Sequence, residues 1–474
     1  MRSLTFLLLT TLTLVLIAGE TDAAKEPLWS RGVQSGVESI AISGGGEYIA
    51  AGTGSELVRF DKDSDSWSYS ASGPETVAIS ANGQYIAAGF YDEDNVRLFD
   101  TNGNEPIWIY DIGNSVTSVD ITASGEYIAV GTNTKSKEAG IYLFHKDSNE
   151  PLWNYDTTGG AGILVAISAD GEYIAAGTGN DGVLLFDKDN STPLWNYDTG
   201  GDDVLSVGIS ADGNYIAAGT DDRIYLLDSS NGELLWSHDT GNRVDAVSIS
   251  ADGNYIAAGT SDDGVWLFDN DGSDVDNKQP LWIYDTGGDI RSVAISADGE
   301  YIAASSMDFN VYLFDKDRDT PLWSYYTGGH VVNTVDISAD GEYIAAGTDN
   351  AVVYLFDKTA TGPLEKDDSG ETTDDASETT NESDSFLGIQ IAIAVILASL
   401  LYVRRDTGYE NPFNKVLKIF LYGTSILLLL SSFIILILAG IIMEMFDVEG
   451  RNPGWMWFLF AILFALTGSF LGHE

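Results

Sequence analysis

The segment Val204–Thr240, VLSVGISADGNYIAAGTDDRIYLLDSSNGELLWSHDT, decides the fold of this chain. It contains four short apolar runs, and Gly, Asp, Asn or Ser residues separate each run from the next. Runs of about five residues joined by tight turns predict a small antiparallel sheet of four strands. Such a sheet cannot bury both of its faces alone, so it must pack against further copies of itself.

The same unit recurs along the chain. The string Tyr-Ile-Ala opens the second run of each unit, and its tyrosine occurs eight times, at Tyr48, Tyr85, Tyr127, Tyr173, Tyr215, Tyr255, Tyr301 and Tyr343. The spacing ranges from 37 residues (Tyr48 to Tyr85) to 46 residues (Tyr255 to Tyr301). Four-strand repeats of this length are typical of β-propellers, and a linear β-solenoid is the alternative.

A second series marks the fourth run of each unit. It consists of eight tryptophans, Trp29, Trp67, Trp108, Trp153, Trp195, Trp236, Trp282 and Trp323. This series is shifted by one unit, because Trp29 precedes the first tyrosine and no tryptophan follows Tyr343 within the repeats. The eighth unit therefore lacks a fourth strand, which Pro27–Val33 can supply. We predict an all-β fold, an eight-bladed β-propeller over residues 25–358 closed by an N-terminal strand, with structural tryptophans packed between blades.

The N-terminus has the pattern of an export signal. A basic residue, Arg2, precedes an apolar run from Leu4 to Ala18, and small or polar residues follow to Ala24. This pattern predicts a secretory signal peptide over residues 1–24, and an uncleaved anchor is the alternative. Either version exports the domain that follows.

The C-terminal part of the chain changes composition after the repeats. Residues 359–385 are acidic, rich in Ser and Thr, and nearly free of apolar residues, which predicts an extended linker. Three apolar stretches then predict transmembrane helices, at 386–403, 417–443 and 455–471. We therefore expect a multi-pass protein of the cell membrane.

The distribution of bases predicts the orientation in the membrane. The connection between the first two predicted helices carries Arg404, Arg405, Lys415 and Lys418. By the positive-inside rule this connection is cytoplasmic, so the propeller is extracellular, in agreement with the export signal.

Charge and cysteine content limit the classes of function. The formal net charge is −49, from 72 acidic and 23 basic residues, which excludes nucleic acid as a partner of most of the surface. A highly acidic surface is also typical of proteins adapted to salt. The chain has no cysteine, so disulfides, thiolate catalysis and cysteine-ligated metals are excluded.

Two family resemblances follow from these residues. Units such as VDAVSISADGNYIAAGTSDDGVWLFD, beginning at Val244, resemble WD40 repeats, with Phe-Asp in place of the usual Trp-Asp. The stretch LDSSNGELLW places Trp236 eight residues after Asp228, which resembles the tryptophan-docking motif of PQQ-like propellers. Both resemblances imply a propeller, and PQQ-like propellers typically have eight blades.

The resemblance does not carry enzymatic activity with it. Quinoprotein dehydrogenases of the PQQ-like type use a vicinal cysteine pair, a calcium ion and an aspartate base, and this chain has no cysteine. Its four histidines, His145, His238, His330 and His473, are dispersed, which disfavours a histidine metal centre. We expect no enzymatic activity and no cofactor except calcium.

Candidate binding residues lie where single repeats depart from the consensus of the other repeats. Exposed aromatic, methionine and basic residues on an acidic propeller suit a contact surface. The departures occur at the turns between second and third strands and at the links between blades, and comprise Phe90, Tyr91, Lys135, Lys137, Arg243, Arg291, Met307, Phe309 and His330. Neutral variation of the loops is the alternative interpretation.

An acidic turn is a candidate calcium site. The stretch DNDGSDVDN places four alternate carboxylates around a Gly turn, at Asp269, Asp271, Asp274 and Asp276. Hard cations prefer such oxygen ligands, but the terminal bidentate Glu of an EF-hand is missing, so the site would be weak. A solvated hairpin is the alternative.

Together these features predict a membrane-anchored interaction scaffold at the cell surface that binds a protein or glycan partner. A quinoprotein-like surface enzyme and an extracellular sensor coupled to the membrane helices are the alternatives.

Overall fold

A computed structural model describes the propeller. The described residues are 25–133, 138–157, 162–262, 264–271, 275 and 277–359. The chain divides into two compact units, Met1–Asp368 and Ser369–Glu474, and all described residues belong to the first. Within the described residues no helix is long and apolar enough to cross a membrane. The predicted signal peptide, the linker beyond Thr359 and the three predicted transmembrane helices lie outside the described residues.

The described residues form 32 strands. In chain order they are β1 Trp29–Gly32, β2 Val37–Ile42, β3 Tyr48–Thr53, β4 Glu56–Asp61, β5 Ser66–Ser70, β6 Pro74–Ile79, β7 Tyr85–Phe90, β8 Asn95–Asp100, β9 Pro106–Asp111, β10 Val116–Ile121, β11 Tyr127–Thr132, β12 Gly140–His145, β13 Pro151–Asp156, β14 Leu164–Ile167, β15 Tyr173–Gly177, β16 Val183–Asp187, β17 Trp195–Tyr197, β18 Ser206–Ile209, β19 Tyr215–Gly219, β20 Arg223–Asp228, β21 Leu234–Asp239, β22 Val244–Ile249, β23 Tyr255–Thr260, β24 Gly264–Asp269, β25 Trp282–Asp285, β26 Ile290–Ile295, β27 Tyr301–Ser306, β28 Asn310–Asp315, β29 Trp323–Tyr326, β30 Val332–Ile337, β31 Tyr343–Thr348 and β32 Val352–Asp357.

These strands make eight antiparallel sheets of four strands, which are the blades. Blade 1 is β2–β5, and each later group of four consecutive strands makes the next blade, up to blade 7, β26–β29. Blade 8 has the order β1-β32-β31-β30, so the first described strand completes the last sheet. The eight-bladed propeller predicted from the sequence is confirmed.

The N-terminal strand closes the ring as the shifted tryptophan series predicts. Trp29 pairs with Leu355 and Gly32 pairs with Val352 in the antiparallel register of β1 and β32. The Lys25 ammonium lies 5.3 Å from the ring centre of Trp323 and donates to the Asp357 carbonyl. The two ends of the repeat array are thus held in one sheet.

Neighbouring blades approach closely at the turn between first and second strands. In blade 6, Gly253 has a φ of +69°, and a Cβ there would lie 2.2 Å from a ring carbon of Tyr215 in blade 5. The tyrosine of each Tyr-Ile-Ala string therefore packs on a glycine of the following blade. The closing junction repeats the contact, between Tyr343 and Gly46.

Backbone hydrogen bonds connect these turns into a complete circle. The Ala211 N–H donates to the Ala251 carbonyl at 3.0 Å, and a similar bond joins each successive pair of turns, with the donor shifted by one residue, to Asn82, between blades 2 and 3. At the closing junction, the Ala339 N–H donates to the Gly44 carbonyl at 3.0 Å. The apolar clusters lie between blades, so each junction is a core of its own.

Candidate binding surface

The antiparallel topology gives the propeller two unlike faces. We call upper the face that carries the turns between second and third strands and the links between blades. The lower face carries the turns between first and second strands, and the third strand of every blade ends there. The candidate binding residues that the structure describes all belong to turns or strand ends of the upper face.

The prediction that Phe90 is exposed is wrong. Phe90 is the last residue of β7, and its side chain is fully buried in the cluster between blades 1 and 2. The Arg97 guanidinium lies 4.0 Å from the centre of its ring. Tyr91, one residue later, lies in the turn that follows β7 and is 37% exposed. Its hydroxyl accepts a hydrogen bond of 3.2 Å from the Asn133 amide of the neighbouring turn. Lys135 and Lys137 lie outside the described residues.

Arg243 pairs with the Asp245 carboxylate of blade 6, and the charge of Arg291 in blade 7 acts on the same carboxylate. Arg243 is exposed, and its Nε lies 3.0 Å from Asp245 Oδ1. Burial raises the pKa of Asp245 above its ordinary value, while Arg243 and Arg291 act in the opposite direction. The negative charge of Asp289 also raises the pKa of Asp245. Arg243, Asp245, Asp289 and Arg291 therefore lie in one region of the upper face.

Met307 and Phe309 occupy the turn between the second and third strands of blade 7. Met307 is 37% exposed, and its N–H donates to the Asp289 carbonyl at 2.9 Å. Phe309 is half-buried and has a φ of +74°. Its carbonyl accepts hydrogen bonds of 2.9 Å from both the backbone N–H and the hydroxyl of Thr327.

His330 lies in the next link, between blades 7 and 8. Its side chain is 44% exposed, and Nδ1 lies 3.7 Å from a carboxylate oxygen of Asp349. The Thr327 hydroxyl oxygen lies 2.6 Å from the His330 carbonyl oxygen, so its single proton is shared between the His330 and Phe309 carbonyls and connects this link to the Phe309 turn.

The structure thus brings five of the predicted residues onto three consecutive blades. We call this set, Arg243, Arg291, Met307, Phe309 and His330, the blade 6–8 patch. Tyr91 belongs to blade 2, four blades away from blade 6, and stands apart from it.

Two carboxylates in the central channel were missed by sequence reasoning. Asp120 and Asp336 lie on the innermost strands of blades 3 and 8, next to the lower end of the channel. Each accepts a backbone N–H from its own strand and one from the next blade, from Ile167 to Asp120 and from Ile42 to Asp336. Burial raises the pKa of both carboxyls to about 6, and the two N–H donors act in the opposite direction.

A signal for these carboxylates is present in the sequence. The residue before the last isoleucine of the innermost strand is Ala in four blades, Gly or Ser in two, and Asp only in β10 and β30. A comparison of the repeats at this position would have singled out Asp120 and Asp336.

The acidic turn after β24 holds a lysine. Lys278 Nζ lies 2.6 Å from Asp269 Oδ1 and also contacts the Asp271 carboxylate. The Lys278 side chain is only 4% exposed, so an ammonium sits where the sequence suggested a cation. Asp274 and Asp276 lie outside the described residues, and no group of three or more potential metal ligands occurs in the part that the structure describes. Calcium binding by the whole turn stays a prediction.

The tryptophans of the fourth strands pack at the junctions between blades. The Trp108 indole N–H, for example, donates to the Lys146 carbonyl of blade 3 at 2.9 Å, and its ring stacks on Phe144. Seven of the eight indoles make this bond to the following blade. Trp236 is the exception among the described residues: it is fully buried and its Nε1 has no hydrogen-bond partner.

Comparisons with known families agree with this architecture. The model of PQQ-like repeats described as outer membrane protein assembly factor BamB matches residues 92–325, just under half of the chain. The model described as WD domain, G-beta repeat matches residues 320–357. The chain is therefore a repeat β-propeller of the WD40-like and PQQ-like type. No curated protein matches its sequence significantly.

Solved structures share the fold at low sequence identity. Sqt1 of Chaetomium thermophilum, bound to the N-terminus of the ribosomal protein L10, is 16% identical, with a TM-score of 0.57 over 70% of this chain and 100% of that one. The computationally designed protein Ika8 is 14% identical, with a TM-score of 0.58 over 71% and 99%. Sqt1 of Saccharomyces cerevisiae is 11% identical, with a TM-score of 0.59 over 70% and 99%. Identities this low speak for the fold alone.

Proposed function

We propose that this protein is a membrane-anchored interaction scaffold of the cell surface, and that the blade 6–8 patch binds its protein or glycan partner. Propellers with WD40 repeats bind protein partners, as the complex of Sqt1 with a ribosomal protein segment illustrates. The export signal and the C-terminal apolar stretches of the sequence support the cell-surface location.

The observation that carries the proposal is the backbone of Phe309. A φ of +74° places an aromatic residue in the left-handed region, where Gly is free and a bulky residue is strained by about 1 kcal/mol or more. The corresponding position has a positive φ in three other blades, at Asp94, Gly182 and Ala351, so among the described residues Phe309 is the one bulky apolar side chain held in this conformation. The Phe309 side chain belongs to none of the eight described apolar clusters. Strain without a packing gain is typical of residues retained for function.

The surroundings of Phe309 define the chemistry of the partner. Met307 adds an adaptable apolar side chain in the same turn, and Arg243 and Arg291 supply guanidinium donors beside the Asp245 and Asp289 carboxylates. An apolar centre with two guanidinium groups nearby suits a partner that presents an apolar side chain or sugar face beside a carboxylate.

The last described strand ends on the face opposite the blade 6–8 patch. β32 ends at Asp357, so the last described residues lie on the lower face.

The test uses two substitutions that relieve the same backbone strain. Phe309→Gly removes the aromatic side chain, whereas Ala351→Gly makes the same change at a φ of +65° in the corresponding turn of blade 8. Both variants should be as stable as the native protein or more stable, by up to about 1 kcal/mol. Purified protein is used as bait against a cell-surface extract and a glycan array. Phe309→Gly should lose the ligands that Ala351→Gly retains, and equal capture by the two variants would contradict the proposal.

The location is tested separately. Protease added to intact cells should release the propeller by cutting within residues 359–385, because an acidic, apolar-poor linker is open to cleavage. Full protection of the propeller in intact cells, with cleavage after lysis, would refute the external location.

A further inference from the structure

In the outer edge strand of each blade, the residue directly after the fourth-strand tryptophan is polar in most blades and apolar in two. In six blades it is Ser or Asn, namely Ser30, Ser68, Asn154, Asn196, Ser237 and Ser324. In the other two blades it is Ile109 and Ile283. Isoleucine at an outer edge is unfavourable for a soluble protein unless something covers it.

Both isoleucines are exposed together with a second apolar residue. In β9, Ile107 and Ile109 are 49% and 44% exposed and alternate with the buried Trp108. At β25, Leu281 and Ile283 are 47% and 46% exposed on either side of Trp282. Each edge thus presents a pair of apolar side chains spaced two residues apart, as a half-buried strand does.

The two edges lie on opposite sides of the ring. β9 is the outer strand of blade 2 and β25 that of blade 6, so three blades lie between them in either direction. Among the described residues, no other blade has exposed apolar side chains on both sides of its fourth-strand tryptophan. The arrangement gives the disc two matching surfaces half a turn apart.

The protein itself shows how such an edge is covered. In blade 5, the Ser237 N–H donates to the Val275 carbonyl at 2.8 Å, and the Ser237 carbonyl accepts from the Lys278 N–H at 2.9 Å. A segment after β24 therefore adds to the free edge of β21 by strand-like pairing. Ile109 follows Trp108 as Ser237 follows Trp236, and both strands have a bulge at the same place in their register. The backbone of Ile109 is thus oriented for the same two hydrogen bonds.

Charge decides which kind of segment fits. The exposed carboxylates of Glu105 and Asp111 flank Ile107 and Ile109, and Asp285 ends β25. A second copy of this protein would bring acidic residues against them, whereas a segment with basic ends would be attracted. We propose that β9 and β25 are two docking edges, each of which binds an extended segment of a partner protein with apolar side chains at alternate positions and lysine or arginine at its ends. This inference is independent of the blade 6–8 patch, which lies on the upper face.

The test is a binding measurement with a defined peptide and the full chain. The probe is Lys-Lys-Thr-Ile-Thr-Ile-Thr-Lys-Lys with a fluorescent label, and anisotropy and calorimetry give affinity and stoichiometry. The native chain should bind two peptides. Ile109→Ser and Ile283→Ser, which install the residue found in other blades, should each leave one site, and the double variant should bind at least tenfold more weakly at both. Melting curves should coincide, because both positions are exposed.

A variant that should gain a binding site, and the results that would overturn the proposal, complete the test. Asn154→Ile, placed beside the exposed Leu152 in β13, should create a third site, and a stoichiometry that stays at two would contradict the role of the apolar pair. Unchanged binding by the double variant, or equal binding of a peptide with glutamate ends, would overturn the proposal. Self-association of the native chain that disappears in the double variant would also overturn it, since a second copy would then occupy the edges.

Discussion

The Asp336 carboxylate accepts the backbone N–H of Ile42 at 2.8 Å and so joins blade 8 to blade 1 inside the channel. Asp120 makes the corresponding bond to Ile167, also at 2.8 Å, between blades 3 and 4. Ser248 makes a neutral version at the equivalent place, where its hydroxyl accepts the Ile295 N–H at 3.2 Å. The same junction is therefore held by a charged acceptor in two blades and by a hydroxyl in another.

The two carboxylates should make stability depend on pH. Their pKa is about 6 in the folded protein, against about 3.9 for an unfolded aspartate, so the folded state binds more protons between these values. Their contribution to the free energy of unfolding therefore rises as the pH falls from about 7 to about 4. The double variant Asp120→Ser/Asp336→Ser places the residue found at Ser248 in both positions. Between pH 7.5 and pH 4.5 its free energy of unfolding, measured with urea, should rise less than that of the native propeller. Identical pH dependence in the two proteins would show that these carboxyls are not the cause.

The tyrosine–glycine contact at each junction can be measured with a matched pair of glycines. Gly253 and Gly241 both have a φ of +69°, so alanine strains the backbone equally at either position. A Cβ at Gly253 meets the Tyr215 ring, whereas a Cβ at Gly241 meets nothing within 4 Å. Gly253→Ala should cost roughly 1–3 kcal/mol more than Gly241→Ala, the cost of forcing the ring aside. If the two variants lost the same free energy of unfolding, the Tyr215 ring would move aside without a measurable energetic cost, which would contradict this prediction.

Lys278 should be the counter-ion of the acidic turn. Lys278→Met leaves the Asp269 and Asp271 carboxylates without an ammonium between them, and should destabilise the propeller by roughly 1–3 kcal/mol. Added calcium at millimolar concentration should raise the melting temperature of this variant more than that of the native protein, because Ca²⁺ can replace the lost charge. An equal calcium response would place any bound cation elsewhere.

Repetition made the fold readable from the sequence. The tyrosine series and the tryptophan series each have eight members. Because Trp29 precedes the first tyrosine, the sequence predicted that the N-terminal strand completes blade 8. Residues that recur in every blade indicate the packing between blades, which all blades share. Residues that depart from the repeat indicate features of single blades, and their roles were harder to predict.

The errors and omissions have physical causes. Phe90 was expected at the surface because its turn is unusual, but β7 continues to Phe90 and turns its side chain into the core. The lysine partner of Asp269 lies nine residues further on in the chain, so the carboxylates alone suggested a metal. Ile109 is exposed because β9 is the outermost strand of its blade. The alternation of apolar and polar residues along a strand does not show which strand of a sheet is outermost, so this exposure was not predicted.

The closing strand is the feature on which the whole architecture depends, and one measurement tests it most directly. Thermal unfolding and hydrogen exchange are compared for propellers with and without Pro27–Val33. Removal should lower the melting temperature by roughly 5–10 °C, because it unpairs β32 and removes the buried Trp29. The amides of Val353 and Leu355 should lose protection first. An unchanged melting temperature with full protection of β32 would contradict closure by the N-terminal strand.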